Sequence, residues 1–240
     1  MKRTLPYILS VSLFAYLIIV LTFVSTKLEG VKCGDLQVVV DNSNENAFIA
    51  EDDIFKTIKG HYGDLKDMSI VHLDKDSMEH ILVGNPMIKS AQVYYSLDGC
   101  FHVEITQRKP VLRVMSGEGY YVDDTGKIMP LSRKYTSRVV VVTGNMSKEF
   151  VCSKLYPFVM NLREDELWDA LIEQIVVSNG EVSLIPKVGN FRILVGKLER
   201  VDKKMENLRL FLREGIALKG WNVYKEINLK FENQIVCVKR

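Results

Sequence analysis

Asp124-Thr125-Gly126 is the triplet that matches a catalytic signature in this chain. In aspartic proteases two such aspartates share one proton. The sequence holds a single copy, so that chemistry would need a second chain. A β-turn is the competing reading. Asp and Gly are turn formers, and the triplet stands between short strand patterns at 120–123 and 127–129. The turn is the expectation. His61, His72, His80 and His102 are spread over different elements, with no H-x-x-x-H spacing that would suggest zinc. G-x-S-x-G, Walker and G-x-G-x-x-G motifs are absent from the sequence. Asp52-Asp53 and Asp74 with Asp76 read as charges at helix N-termini rather than as metal ligands. No catalytic set, cofactor or metal is therefore expected, which favours an interaction protein over an enzyme.

Composition narrows the partners. The formal net charge is +2, and Lys and Arg are scattered, so nucleic acid is not expected. The four cysteines, Cys33, Cys100, Cys152 and Cys237, show no C-x-x-C and no regular spacing. They are expected as buried free thiols rather than as a disulfide framework. Trp168 and Trp221 sit among apolar neighbours and are expected in the core.

The first of the elements that must position these residues is an uncharged apolar run from Leu5 to Val24, preceded by Met1-Lys2-Arg3. Twenty helical residues rise about 30 Å, the thickness of a bilayer's hydrocarbon core. A single transmembrane helix over 5–26 is expected, with a cytoplasmic tail at 1–4 and a linker at 27–34. A cleaved signal peptide is the alternative, but Thr22-Phe23-Val24-Ser25-Thr26 offers no small-x-small cleavage site. Val31 and Lys32 stand where a lipid-anchored Cys33 would have small residues. Lys27 and Lys32 are diluted by Glu29 and Asp35, while Lys2 and Arg3 lead the span. The long side is read as extracytoplasmic.

Two α+β modules are expected beyond the span, at 35–107 and 108–240. In the first, Leu36, Val38 and Val40 alternate as in a strand. A polar loop at 42–46 follows, and a helix carries Ile54, Phe55 and Ile58. A second helix, capped by Asp74, carries Met78, Ile81 and Leu82 and is stopped by Asn85-Pro86. Strands at 89–96 and 100–107 are joined by Asp98-Gly99, a hairpin signal. The order is β-α-α-β-β. The second module opens near Arg108-Lys109-Pro110, where Pro110 fixes φ and holds Lys109 extended. Strands are expected at 111–115, 120–123 and 138–143. A helical stretch with Val151, Leu155, Phe158 and Leu162 on one face and a short helix at 164–172 follow. Strands at 174–177 and 182–185 flank Asn179-Gly180. A strand at 191–195, a helix with Val201, Met205, Leu208 and Leu212 stopped by Gly215, and strands at 225–231 and 234–239 complete the module.

Four stretches together resemble one family. Residues 81–93, with Asn85-Pro86 and then Ala91-Gln92-Val93, are similar to the helix, Asn-Pro and x-Ala-x-Val strand of a POTRA domain. Residues 103–111, with Arg108-Lys109-Pro110, resemble the join to the next module. Residues 121–130, with Val122-Asp123, Gly126 and Pro130, resemble a Val-Asp-x-x-Gly-x-x-x-Pro element. Ile227-Asn228-Leu229-Lys230-Phe231 resembles a terminal Val-Asp-Leu-Arg-Tyr strand, with Asn228 and Lys230 in place of Asp and Arg. Behind one N-terminal span, these resemble the bacterial cell-division family FtsQ/DivIB. The resemblance implies a POTRA domain followed by a mixed α/β domain that ends in an edge strand. It implies a non-enzymatic scaffold of the divisome in the inner membrane at the septum. The implied partners are FtsB- and FtsL-like bitopic proteins and, through them, the FtsW–FtsI septal synthase. Phe231 stands where the family has Tyr, Asn233 and Gln234 occupy the adjacent turn, and Val236 lies on the closing strand. These four are the expected partner-binding residues. The alternatives are a membrane-tethered hydrolase using Asp124 and a POTRA-bearing assembly or secretion factor.

Overall fold

A computed structural model describes residues 5–29, 33–41, 47–66, 68–69, 73–96, 100–216 and 220–240, without the side chains of 5–9 and 24–29. The tail at 1–4, the polar loop at 42–46, the Asp98-Gly99 turn and His72 lie outside the described residues. The chain divides into two compact units, Met1–Gln107 and Arg108–Arg240.

The first unit begins with α1, Leu5–Glu29. It runs past the expected end at 26, so part of the expected linker is helical. Its described side chains, from Ser10 to Phe23, are all exposed, Phe14, Tyr16 and Ile19 among them. Among the described residues no helix is long and apolar enough to cross a membrane. The described side chains span about 21 Å of helix at 1.5 Å per residue.

The rest of this unit is a three-stranded sheet under two helices. Its elements are β1 (Leu36–Asp41), α2 (Glu51–Tyr62), α3 (Lys75–Val83), β2 (Ile88–Tyr95) and β3 (Phe101–Gln107). The strand order is β1-β3-β2, with β1 parallel and β2 antiparallel to β3. Val38, Val40, Val93, Val103 and Ile105 are buried on one face, with Ile54 and Ile58 of α2 and Met78 and Leu82 of α3 also buried. The acids at the starts of the helices do the expected work. Asp53 accepts from the Ala50 N–H at 3.0 Å, and Asp74 accepts from Asp76 and Ser77. Such caps satisfy orphan N–H groups. Asn85 accepts from the Met87 N–H at 3.0 Å and its carbonyl accepts from Ile88, which turns the chain into β2. Gln107 is buried because its Oε1 accepts from both Phe48 and Ile49 N–H.

The second unit is a nine-stranded sheet. Its strands are β4 (Pro110–Val114), β5 (Tyr120–Asp123), β6 (Ile128–Met129), β7 (Val140–Gly144), β8 (Ile172–Ser178), β9 (Glu181–Pro186), β10 (Arg192–Gly196), β11 (Tyr224–Asn228) and β12 (Val236–Lys239). The order is β12-β11-β10-β9-β8-β7-β4-β5-β6. One face buries Leu112, Val142, Ile175, Leu184, Ile193 and Ile227 in a common core with Phe158 and Leu162 of α5 (Tyr156–Arg163), Trp168 of α6 (Glu166–Leu171) and Leu208 of α7 (Val201–Phe211). A further helical turn, α4 (Lys148–Phe150), precedes a π-helical segment at Val151–Leu155 that replaces the continuous helix expected there. Pro157 explains the break, because it has no N–H to close the ladder and its ring crowds the preceding turn. Gly215 does not end the next helix either; the chain passes into a π turn at Leu212–Ile216.

Two expectations about side chains are corrected. Trp168 is buried, but Trp221 is 38% exposed, stacked on the buried Phe191 ring at 6.1 Å. The indole lies beside Phe191 and stays partly open to water. Of the four cysteines only Cys33 is buried, and the other three are half-buried.

Two glycines carry the tight geometry. Asn179 and Gly180 join β8 to β9 with φ of 52° and 75°, the left-handed pair a two-residue hairpin requires. Gly144 has φ 111°, and a Cβ there would lie 1.9 Å from the Val177 carbonyl oxygen of the neighbouring strand. Around Gly180 the space is open. Gly180→Ala is therefore expected to cost about 1–2 kcal/mol, the left-handed penalty alone. Gly144→Ala must also push backbone apart and should cost several times more in a urea titration; equal midpoints for the two variants would contradict this account.

Candidate functional site

The Asp-Thr-Gly triplet forms a turn, and the residue before it is the one that matters. The Asp123 carbonyl accepts from the Gly126 N–H at 3.0 Å. Asp124 sits at a corner, its N–H bonded to the Lys109 carbonyl and its own carbonyl accepting from the Tyr156 hydroxyl at 3.0 Å. Asp123 is fully buried. Its Oδ1 accepts from Thr125 N–H, Thr125 Oγ1 and Lys127 N–H, all within 2.9 Å. Its Oδ2 meets Arg108 Nη1 at 2.7 Å. Burial pushes this carboxyl up, but the bonds from Arg108, Thr125 and Lys127 outweigh it and hold it below the usual range. Arg108, read from the sequence as a joint between modules, is thus the counter-ion of a buried carboxylate inside the second unit. Arg108-x-Pro110 and Val122-Asp123 stand fifteen positions apart, and nothing local in either motif reveals the pair.

The expected partner-binding residues gather at the other end of the sheet. β12 pairs with β11 alone among the described residues. Val236 and Val238 are exposed, while Cys237 packs against the core. The backbone phase follows from one bond. Arg240 N–H donates to the Val223 carbonyl at 3.2 Å. Backbone groups alternate sides along a strand. Val238 and Val236 therefore turn their N–H groups to β11, and Cys237 and Lys239 turn theirs outward.

The strand expected over 225–231 ends at Asn228. Leu229 N–H still bonds Leu194 O at 2.9 Å, but Asn228 Oδ1 accepts from the Lys230 N–H and diverts the chain. Phe231 consequently lies in the turn, 50% exposed, rather than in a strand. Asn233 adopts φ 55°, a conformation that Asn tolerates. Ile235 is half-buried against the core.

Arg200, Lys203, Lys204 and Asn207 of the α7 region and residues 229–235 line a shallow cleft. Arg200 pairs with Glu232. Lys204 Nζ donates to the carbonyls of Val195 and Lys197 at 2.9 and 2.8 Å. Burial pushes its ammonium below the usual lysine range, with Arg200 adding to the effect. Lys203 is exposed. The cleft thus sets a half-exposed aromatic ring beside cations, next to an open strand edge. That arrangement suits a peptide segment. Among the described residues no cluster of His, Cys, Asp and Glu could hold a metal ion.

Comparison with known families agrees with both units. Residues 109–238 match the family described as FtsQ/DivIB, C-terminal related. Residues 31–106 match the POTRA-like domain family. No curated protein matches the chain.

Asp123→Asn should separate anchor from turn. Removing one member of a buried pair costs about 3–5 kcal/mol, whereas Asp124→Asn should stay within about 0.5 kcal/mol; urea midpoints measure both. The folded carboxyl of Asp123 is depressed, so its contribution is complete above the unfolded pKa of about 3.9 and fades as pH falls through the folded value. The acid limb of stability should flatten in Asp123→Asn and persist in Asp124→Asn.

Proposed function

The chain belongs to the FtsQ/DivIB family, and we propose that it is a non-enzymatic, bitopic scaffold of the bacterial divisome. On this reading α1 crosses the inner membrane once, and residues 33–240 lie outside the cytoplasm at the septum. The apolar sequence supports the anchor, since the uncharged run from Leu5 to Val24 lies within α1 and extends on both sides of its described side chains, 10–23. Apolar side chains exposed all round a helix need a cover, and lipid is the cover a single such helix suits. The POTRA-like module would recruit, and the second unit would bind FtsB- and FtsL-like bitopic proteins, which in turn act on the FtsW–FtsI synthase.

The open edge of β12 carries this reading. A partner segment that adds as a strand gains main-chain bonds to the outward groups of Cys237 and Lys239. Val236 and Val238 then present a small apolar strip to it, and Phe231 with the neighbouring Asn233 and Gln234 closes one end. Large apolar anchors of this kind dominate interface energetics. The hydrolase alternative gains no support, because Asp124 occupies a turn corner and the buried Asp123 is tied to Arg108.

Lys239→Pro removes one outward N–H and leaves the β11 side intact, so it should abolish capture of the bitopic partner from membranes while the melting temperature holds. Val236→Pro should instead damage the β11–β12 pairing and lower the melting temperature. Undiminished capture by Lys239→Pro would rule out strand addition at this edge. The anchor is tested separately: a phosphatase fused at Arg240 should be active outside the cytoplasm and remain with membranes. Soluble protein cut near residue 26 would mean a signal peptide instead.

A further inference from the structure

Cys33 and Cys100 converge at the start of the sheet in the first unit. β1 and β3 run parallel with Leu36 beside Phe101. The residues just ahead of that pair are Asp35 and Cys100. The Asp35 carbonyl accepts from the Phe101 N–H at 3.0 Å and from the Cys100 thiol at 3.2 Å. Cys33 lies two residues before Asp35, within about 7 Å of chain. Its own N–H is fixed to the Met68 carbonyl at 2.7 Å. Cys33 is buried and Cys100 half-buried. The two sulfurs sense each other: burial pushes the Cys33 thiol up, and the charge of a Cys100 thiolate pushes it further. Cys152 and Cys237 belong to the other unit.

We propose that Cys33 and Cys100 form an intrachain disulfide when the protein stands in an oxidising compartment, tying the segment after α1 to β3. The presence of that compartment rests on the reading that these residues lie outside the cytoplasm. Cys100, the more exposed thiol, loses its proton and attacks a sulfur of an oxidant disulfide, such as glutathione disulfide or a dithiol oxidase of the envelope. A mixed disulfide forms and one thiolate leaves. Cys33 then loses its proton and attacks the Cys100 sulfur, expelling the second thiolate. Two protein thiols give up two protons and two electrons, and the oxidant disulfide becomes two thiols. The closed loop holds α2, α3 and β2, and a long loop is where a cross-link removes most freedom from the unfolded chain. The bond also joins the segment leading from α1 to the central strand of the sheet, past the edge strand β1.

The test uses the full chain, purified in detergent, reduced, and then equilibrated in an oxidising glutathione buffer. Thiols are counted by maleimide mass tagging after denaturation. Four thiols should fall to two. A Cys152→Ser, Cys237→Ser double variant should fall from two to none. In Cys33→Ser and Cys100→Ser no pair of thiols should be lost as an internal disulfide. Four reactive thiols after equilibration, or an internal disulfide in Cys33→Ser, would overturn the proposal. A fusion reporting a cytoplasmic Arg240 would remove the compartment and leave this exchange result untouched, so the two failures are distinguishable.

Discussion

A sheet that does not close must end in two strands whose outward N–H and C=O groups lack a ladder partner. The nine-stranded sheet meets that constraint differently at its two ends. At one end β6 is only two residues long, and its Met129 is fully buried. So short an edge is a poor template for another chain. At the other end β12 keeps its outward groups and exposes Val236 and Val238. Chain topology then decides what surrounds this edge. β10 and β11 are parallel, so the chain must cross over between them, and α7 is part of that crossover. The N-terminal end of α7 follows the C-terminal end of β10. The turn at 229–235 follows the C-terminal end of β11. Parallel strands end on the same side, so Arg200, Lys204 and Phe231 are brought together although about thirty residues separate them in sequence.

The opposite end of the same unit is held by charge. Burying the Asp123 carboxylate is costly, and it is tolerated because Arg108 and three donors from Thr125 and Lys127 satisfy it. The residues just before Pro110 and the β5–β6 turn are thereby locked together, and the Asp124 N–H bond to Lys109 reinforces the lock. A rigid β4–β5 pair matters because β4 also pairs with β7, through which the register passes to the rest of the sheet. The triplet that looked catalytic is the visible part of this lock.

Much of the architecture was legible because it rests on local rules. Asp74 reads as a cap, Asn179-Gly180 as a hairpin and Asn85-Pro86 as a stop, since each acts within a few residues. The alternation of Val38 and Val40, or of Val182 and Leu184, marks the buried face directly. What escaped depends on residues far apart or on competition between neighbours. The Arg108–Asp123 pair spans fifteen positions and joins two motifs that were read separately. The early end of β11 comes from the Asn228 side chain capturing the Lys230 N–H, a bond that periodicity does not register. Trp221 looks like core by composition, yet its ring stacks on Phe191 and stays partly exposed. The cleft beside β12 was missed at its α7 side because Arg200 and Lys204 look like ordinary exposed helix charges until the crossover places them.

Affinity and selectivity at the β12 edge have different sources. Main-chain pairing is available to any extended segment, so by itself it cannot choose a partner. The side chains must choose, and the cations of α7 are not equivalent. Arg200 is exposed and paired with an exposed Glu232, an arrangement worth at most about 1 kcal/mol. That pair can exchange Glu232 for an acidic group of a partner at little cost. Lys204 is held by two backbone carbonyls and partly removed from water. Moving it would strand those carbonyls, so it acts as a fixed positive charge under the cleft rather than as a flexible hand. Lys203, on the exposed side, attracts at longer range and is screened by salt. A basic segment could form the same ladder but would set its charge against Lys203 and Lys204. On the proposed reading, the edge would therefore favour a strand that is apolar on the side of Val236 and Val238 and acidic where it passes the α7 end.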